Sequence, residues 1–167
     1  SPMLQISVDY VPAEDRLLLR IGVGDTEASF WLTRKLVKAL WPLLGEAALR
    51  LVPGANWSPA ARREASEMQR QAEAQKLDFA TSYNAQRKRV WGDSPVRVNV
   101  VEVLSHAEGN HALRFHADNG QYLEVRLDAQ VHAGITELLR KAVTQSDWDL
   151  QLDLGAAVAP APAGGWH

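Results

Sequence analysis

The chain has 167 residues, 46% hydrophobic and 23% charged, with a formal net charge of -2, the composition of an ordinary globular protein long enough to bury one core. That near balance gives no global drive toward nucleic acid, so phosphate binding would have to come from a local patch. There is no cysteine, which excludes disulfides, thiolate nucleophiles and Cys-ligated metals, and no apolar run approaches the ~20 residues of a membrane span.

Ser1-Pro2-Met3-Leu4-Gln5 lacks a basic stretch followed by an apolar one, so no signal peptide is expected and a cytoplasmic location is. Met3 reads as the natural start. Ile6, Val8 and Tyr10 alternate with polar residues up to the turn-like Val11-Pro12-Ala13-Glu14-Asp15, and apolar character resumes from Arg16 to Ile21. This predicts strand, turn, strand. Gly22-Val23-Gly24-Asp25 supplies residues that tolerate positive φ, and Ala28, Phe30 and Leu32, two apart, predict a third strand.

Thr33 is the expected N-cap of a helix whose face is Leu36, Val37, Leu40, Trp41, Leu44, Ala48 and Leu51. Pro42 predicts a kink there, or a stop and restart. Ser58-Pro59 opens a second helix, expected to run to about Tyr83. Its apolar positions, Ala61, Ala65, Met68, Ala72 and Phe79, are small and sparse, so it packs closely on something or lies largely in solvent.

After Ser94-Pro95, Val96, Val98 and Val100 alternate, and the run changes face near Val101-Glu102-Val103. Ser105 to Asn110 is a loop and Ala112 to His116 a strand. Asp118-Asn119-Gly120 signals a hairpin, because Asn-Gly suits a type I′ turn. Tyr122 to Leu127 returns as a strand, Asp128 caps a helix with Val131, Ile135, Leu138, Leu139 and Ala142 on its face, and Leu150, Leu152 and Leu154 suggest a last strand.

Placing Thr33 on Asp128 superimposes Leu32 on Leu127, Phe30 on Val125, Leu36 on Val131, Leu40 on Ile135 and Leu43-Leu44 on Leu138-Leu139. Leu19-Arg20-Ile21 falls on Leu113-Arg114-Phe115 only after a one-residue slip, assigned to the intervening turns. The expected fold is therefore α+β: two pseudo-repeated βββα units, residues 3–51 and 95–154, whose antiparallel sheet is packed by two amphipathic helices and joined by a helical insert over 58–83. Together they form one domain, 3–154. Trp31 and Trp41 read as packing residues, and residues 155–167, rich in alanine, proline and glycine, as a disordered tail.

His106, His111 and His116 recur every five residues, but an odd spacing sends His111 and His116 to opposite faces of a strand, so no metal site is expected. His132 matches the apolar Val37 and reads as a partly buried or interfacial histidine. No nucleophile elbow, phosphate loop, zinc-protease motif or dinucleotide fingerprint occurs, so neither catalytic residues nor a cofactor is expected. The strongest electrostatic feature is Arg87-Lys88-Arg89 with Tyr83 before it and Trp91 after it. Cations beside aromatic planes suit single-stranded nucleic acid, although the same residues also fit a solvated linker whose tryptophan tucks into the core.

In element order alone the chain resembles two groups: the head domains of end-joining and centriole scaffold proteins, in which a helix-turn-helix interrupts a β-sandwich, and the single-strand-binding proteins built from paired strand-helix repeats. No motif residue carries either resemblance, so each implies architecture only. The functional expectation is a non-catalytic interaction or assembly protein, a scaffold or adaptor of a bacterial-type cytoplasm. It would bind itself, through Arg63, Met68 and Phe79 of the central helix or a strand edge, and another protein. The alternative is a single-stranded nucleic-acid-binding module built on Tyr83, Arg87, Lys88, Arg89 and Trp91.

Overall fold

A computed structural model describes residues 4–51, 58–76 and 83–153. Three strands, β1 (Leu4–Val11), β2 (Arg16–Val23) and β3 (Thr26–Leu32), precede the helix α1 (Arg34–Arg50). A second helix, α2 (Pro59–Lys76), and the two-residue strand β4 (Lys88–Arg89) lead to β5 (Val96–Ser105), β6 (His111–Ala117), β7 (Tyr122–Arg126) and α3 (Ala129–Thr144). The fold is α+β, with a seven-stranded sheet ordered β1-β2-β3-β5-β6-β7 and β4 also on β3.

The sheet is mixed, not antiparallel as expected. Both hairpins are antiparallel, but β3 pairs in parallel with β4 at Thr26 and Glu27 and with β5 at Phe30 and Trp31. Joining strands separated by two helices allows that parallel seam, which short hairpin connections cannot make.

Both outer helices begin as the sequence predicts. Thr33 accepts from the Leu36 amide at 3.2 Å and Asp128 from the Val131 amide at 2.8 Å. Each satisfies one of the amides that a helix start leaves without an internal partner. α1 nevertheless runs unbroken through Pro42. Pro42 and Lys38, whose carbonyl loses its helical donor, are both on the exposed side of the helix, where water can replace the missing bond.

The core lies between the sheet and these helices. Leu17, Leu19, Phe30, Leu32, Leu113 and Phe115 are essentially inaccessible and meet Val37, Leu40, Leu44, Ile135 and Leu139. Each side chain of that size contributes roughly 1.5–3 kcal/mol by leaving water. The helices cross over, with α1 packed on β5 and α3 on β1. His132 is buried between them, its Nε2 2.7 Å from the Leu44 carbonyl of α1.

Local geometry departs from expectation at several points. The Gly24-Asp25 loop holds two residues between the paired Val23 and Thr26, with Gly24 at φ +61°. The second hairpin does not use the two-residue type I′ turn. Its loop is Asp118-Asn119-Gly120, with only Gly120 at positive φ (+86°) and the Ala117 amide donating to the Gln121 carbonyl, which is a turn closed by a left-handed glycine. The two loops differ by one residue, the size of the register slip. In β5 the face change comes at a bulge between Val98 and Val100, one residue earlier than the sequence indicated.

The helix expected to reach Tyr83 is described to Lys76, residues 77–82 lie outside the described residues, and Tyr83 is not helical. Of the expected apolar positions of α2, only Ala65 is half-buried. Ala61, Met68 and Ala72 are exposed, whereas Ser66 is buried. Arg62 donates to the Leu49 carbonyl at 2.9 Å and Gln69 to the Leu51 carbonyl at 3.5 Å, which supplies donors at the C-terminal end of α1.

Leu150 and Leu152 pack on the core, but residues 150–153 form no strand, and Leu154 with the tail to 167 lies outside the described residues. Trp148 anchors this segment instead. It is buried, its Nε1 donates to Asp15 at 2.7 Å, and its carbonyl accepts from Arg34 at 3.1 Å.

Candidate interaction faces

The core-facing positions of the sheet leave two surfaces turned outward, one on each hairpin. On the first hairpin, Glu27 of β3 points away from the core and is yet only 3% exposed. The cover is residues 83–91, which run across it as a strap. Backbone bonds from Lys88 to the Asp25 carbonyl and from Val90 to the Glu27 carbonyl dock the strap on β3. The Tyr83 hydroxyl donates to Glu27 Oε2 at 2.6 Å, and Arg89 Nε lies 3.7 Å from the other carboxylate oxygen. A buried carboxylate needs such donors, because an unpaired one would be costly to desolvate.

Two further cations meet the same tyrosine. The Arg20 and Arg87 guanidinium carbons lie 4.7 and 5.1 Å from the Tyr83 ring centroid, within cation–π range. Partial burial, reinforced by the Glu27 carboxylate, pushes the Tyr83 hydroxyl up to about 12. Arg87 also donates to the carbonyls of Gly24 (2.9 Å) and Asn84 (3.2 Å). Its Cδ and guanidinium fill the space above Gly22, where a β-carbon would sit 2.6–2.7 Å from them. Gly22 is therefore needed for close approach, and of the two glycines in that hairpin only Gly24 has positive φ.

The basic-aromatic residues thus divide between roles. Tyr83, Arg87 and Arg89 converge on Glu27 and Gly24. Trp91 leaves the strap and meets Phe30 edge-on at 5.2 Å, against the core. Lys88 and Val90 are exposed, and the Arg89 side chain is 45% exposed. On α2, Arg63 is half-buried and Met68 is 71% exposed. Phe79 lies outside the described residues.

The outward face of β5-β6-β7 carries polar side chains in register and lies open. Glu102, Arg114 and Glu124 form one row across the strands, and Val100, His116 and Tyr122 the next. Arg114 donates through Nε and Nη2 to Glu124 Oε1 at 3.2 and 2.8 Å and lies 4.7 Å from the Tyr122 ring. Its guanidinium holds the Glu124 carboxyl below the usual carboxylate range. His116 Nε2 is 2.7 Å from Glu102, and His106 Nε2 3.4 Å from Glu124. Val100 and Tyr122 are 49% and 56% exposed. His111 instead meets Ser105 at 3.2 Å, and no three metal-ligating side chains gather among the described residues.

This second face is absent from the sequence-based candidates. Its signal was available in the hairpin: with the turn at 118–120, the alternating Arg114 and His116 must face the alternating Tyr122 and Glu124.

A cleft of about 150 Å³ between the helices is lined by Trp41, Glu67, Thr136, Glu137, Arg140, Leu152 and Asp153. Arg140 pairs with Glu137, and the Thr136 hydroxyl is engaged with the His132 and Ala133 carbonyls. No helix among the described residues is long and apolar enough to cross a membrane. The chain matches no protein-family model, no curated protein and no solved structure.

Proposed function

We propose that the chain is a non-catalytic interaction or assembly protein of the cytoplasm, which associates with itself and docks another protein through the open face of β5-β6-β7. The observation that carries this reading is the contrast between the two outward faces. One is roofed by residues of its own chain. The other presents Glu102, Arg114, His116, Tyr122 and Glu124 already oriented by mutual bonds, so a partner need not order them on binding.

The two βββα segments are, on this reading, copies of one unit. The matching caps, the one-residue difference in hairpin loops and the reciprocal packing of each helix on the first strand of the other segment support the duplication. Duplicated units carry a pseudo-twofold relation that suits symmetric assembly.

The alternative, single-stranded nucleic acid bound at the strap, draws on the exposure of Lys88 and the partial exposure of Arg89. Light scattering after size exclusion, over a range of protein concentrations at low and high salt, separates the two. The expected result is a defined multimer indifferent to a short single-stranded oligonucleotide. A monomer at every concentration that shifts only with oligonucleotide, and only at low salt, would overturn the assembly reading in favour of the alternative.

A further inference from the structure

The strand β7 ends the sheet on the side of the open face, and among the described residues nothing pairs with its outer edge. Which of its backbone groups face outward follows from two bonds. The Leu127 amide donates to the His111 carbonyl at 2.8 Å, and the Gln121 carbonyl accepts from the Ala117 amide at 2.9 Å. Antiparallel pairs alternate between bonded and non-bonded positions, so 121, 123, 125 and 127 spend their backbone groups on β6. The amides and carbonyls of Tyr122, Glu124 and Arg126 therefore point out of the edge. Their side chains are the exposed ones, while Val125 and Leu127 are buried.

The other edge strand, β1, is already engaged near both ends. Trp148 meets Tyr10 edge-on at 6.0 Å, and the Asn84 amide donates to the Gln5 side chain at 3.2 Å. No such contact reaches the outer edge of β7 among the described residues.

Resting on the self-association reading above, we infer that two copies of this chain pair antiparallel through their β7 edges about a twofold axis at Val125. In that register Glu124 lies opposite the second copy's Arg126, and Arg126 opposite its Glu124, so the outward backbone groups bond where the side chains carry opposite charge. Val125 meets its own copy, and Leu123 faces Leu127, on the core side. Shifting the strands by two residues to centre on Glu124 puts like charges directly opposite, which is unfavourable. Charge complementarity thus selects both partner and register, and an isologous contact closes at two chains.

The test is the dimer dissociation constant of the full chain by sedimentation or light scattering, with circular dichroism confirming that each variant is folded. Arg126→Glu places like charges at both cross-strand pairs and is expected to weaken the dimer by about tenfold or more. Combining Glu124→Arg with Arg126→Glu exchanges the signs and is expected to restore association toward the parent value. Arg126→Pro, which deletes an outward amide without touching the bonds to β6, is expected to abolish the dimer. A multimer unaffected by Arg126→Glu and by Arg126→Pro, or one larger than two chains, overturns this interface while leaving self-association intact. A monomer at all concentrations overturns both.

Discussion

The two outward faces of the sheet begin from the same kind of strand and end in opposite conditions. On the first hairpin a carboxylate, Glu27, is sealed beneath Tyr83 and Arg89. On the second, Glu124 holds Arg114 in the open. Both are cross-linked by charge, yet the physical weight of the charges differs. In the buried network, loss of one partner leaves another desolvated and unsatisfied. On the exposed ladder water replaces whatever is removed. The roofed face therefore serves stability, and the open face contributes little to it.

The sharpest way to break that contrast is Glu27→Ala. Tyr83 and Arg89 lose a buried charged acceptor together, and unfolding stability is expected to fall by about 2–3 kcal/mol in a urea titration. A loss below about 0.5 kcal/mol would show that the strap does not depend on this carboxylate.

Tyr83→Phe keeps the ring under Arg20 and removes only the hydroxyl, with an expected cost of about 1 kcal/mol. The same variant tests a pH dependence. The folded tyrosine stays neutral above its ordinary value of 10.0, to about 12. Its contribution is therefore complete below pH 10 and is lost as pH rises through 12. Ultraviolet titration of the parent is expected to show a tyrosine ionising near 12 that the variant lacks.

Gly22→Ala is expected to cost about 1 kcal/mol by pushing Arg87 out of its seat and away from the Gly24 and Asn84 carbonyls. It is also expected to move the Tyr83 titration, because Arg87 lies beside that ring. An unchanged Tyr83 titration would mean that Arg87 and Tyr83 are not coupled.

The smallest effect belongs to the open face. Arg114→Gln is expected to leave the unfolding midpoint nearly unchanged, while the Glu124 carboxyl, now held low chiefly by its bond to Arg114, titrates closer to the ordinary range in a carbon-detected NMR experiment. A large drop in midpoint would erase the distinction between the faces.

Much of the fold was legible in the residues. Alternation marked β1, β2, β3, β6 and β7, and Thr33 and Asp128 marked helix starts, because period and capping depend on neighbours within a few positions. The open ladder was legible too, once the hairpin turn sets the register, although no single motif advertises it. The fate of Leu150 and Leu152 was not. Alternation says that side chains are half-buried, and these lie against the core without the backbone partner that a strand requires.

By itself, then, the sequence determined the strands of the two hairpins, the capped starts of the two outer helices and the side that each of those helices buries, since these follow from spacing and local backbone chemistry. Tertiary structure alone decided the parallel seam of β3 with β4 and β5, the burial of Glu27 beneath residues more than fifty positions away, and the place of β7 at the end of the strand order among the described residues. Those outcomes turn on which distant strand is close enough to share a hydrogen bond or displace water, and no local pattern along the chain encodes that choice.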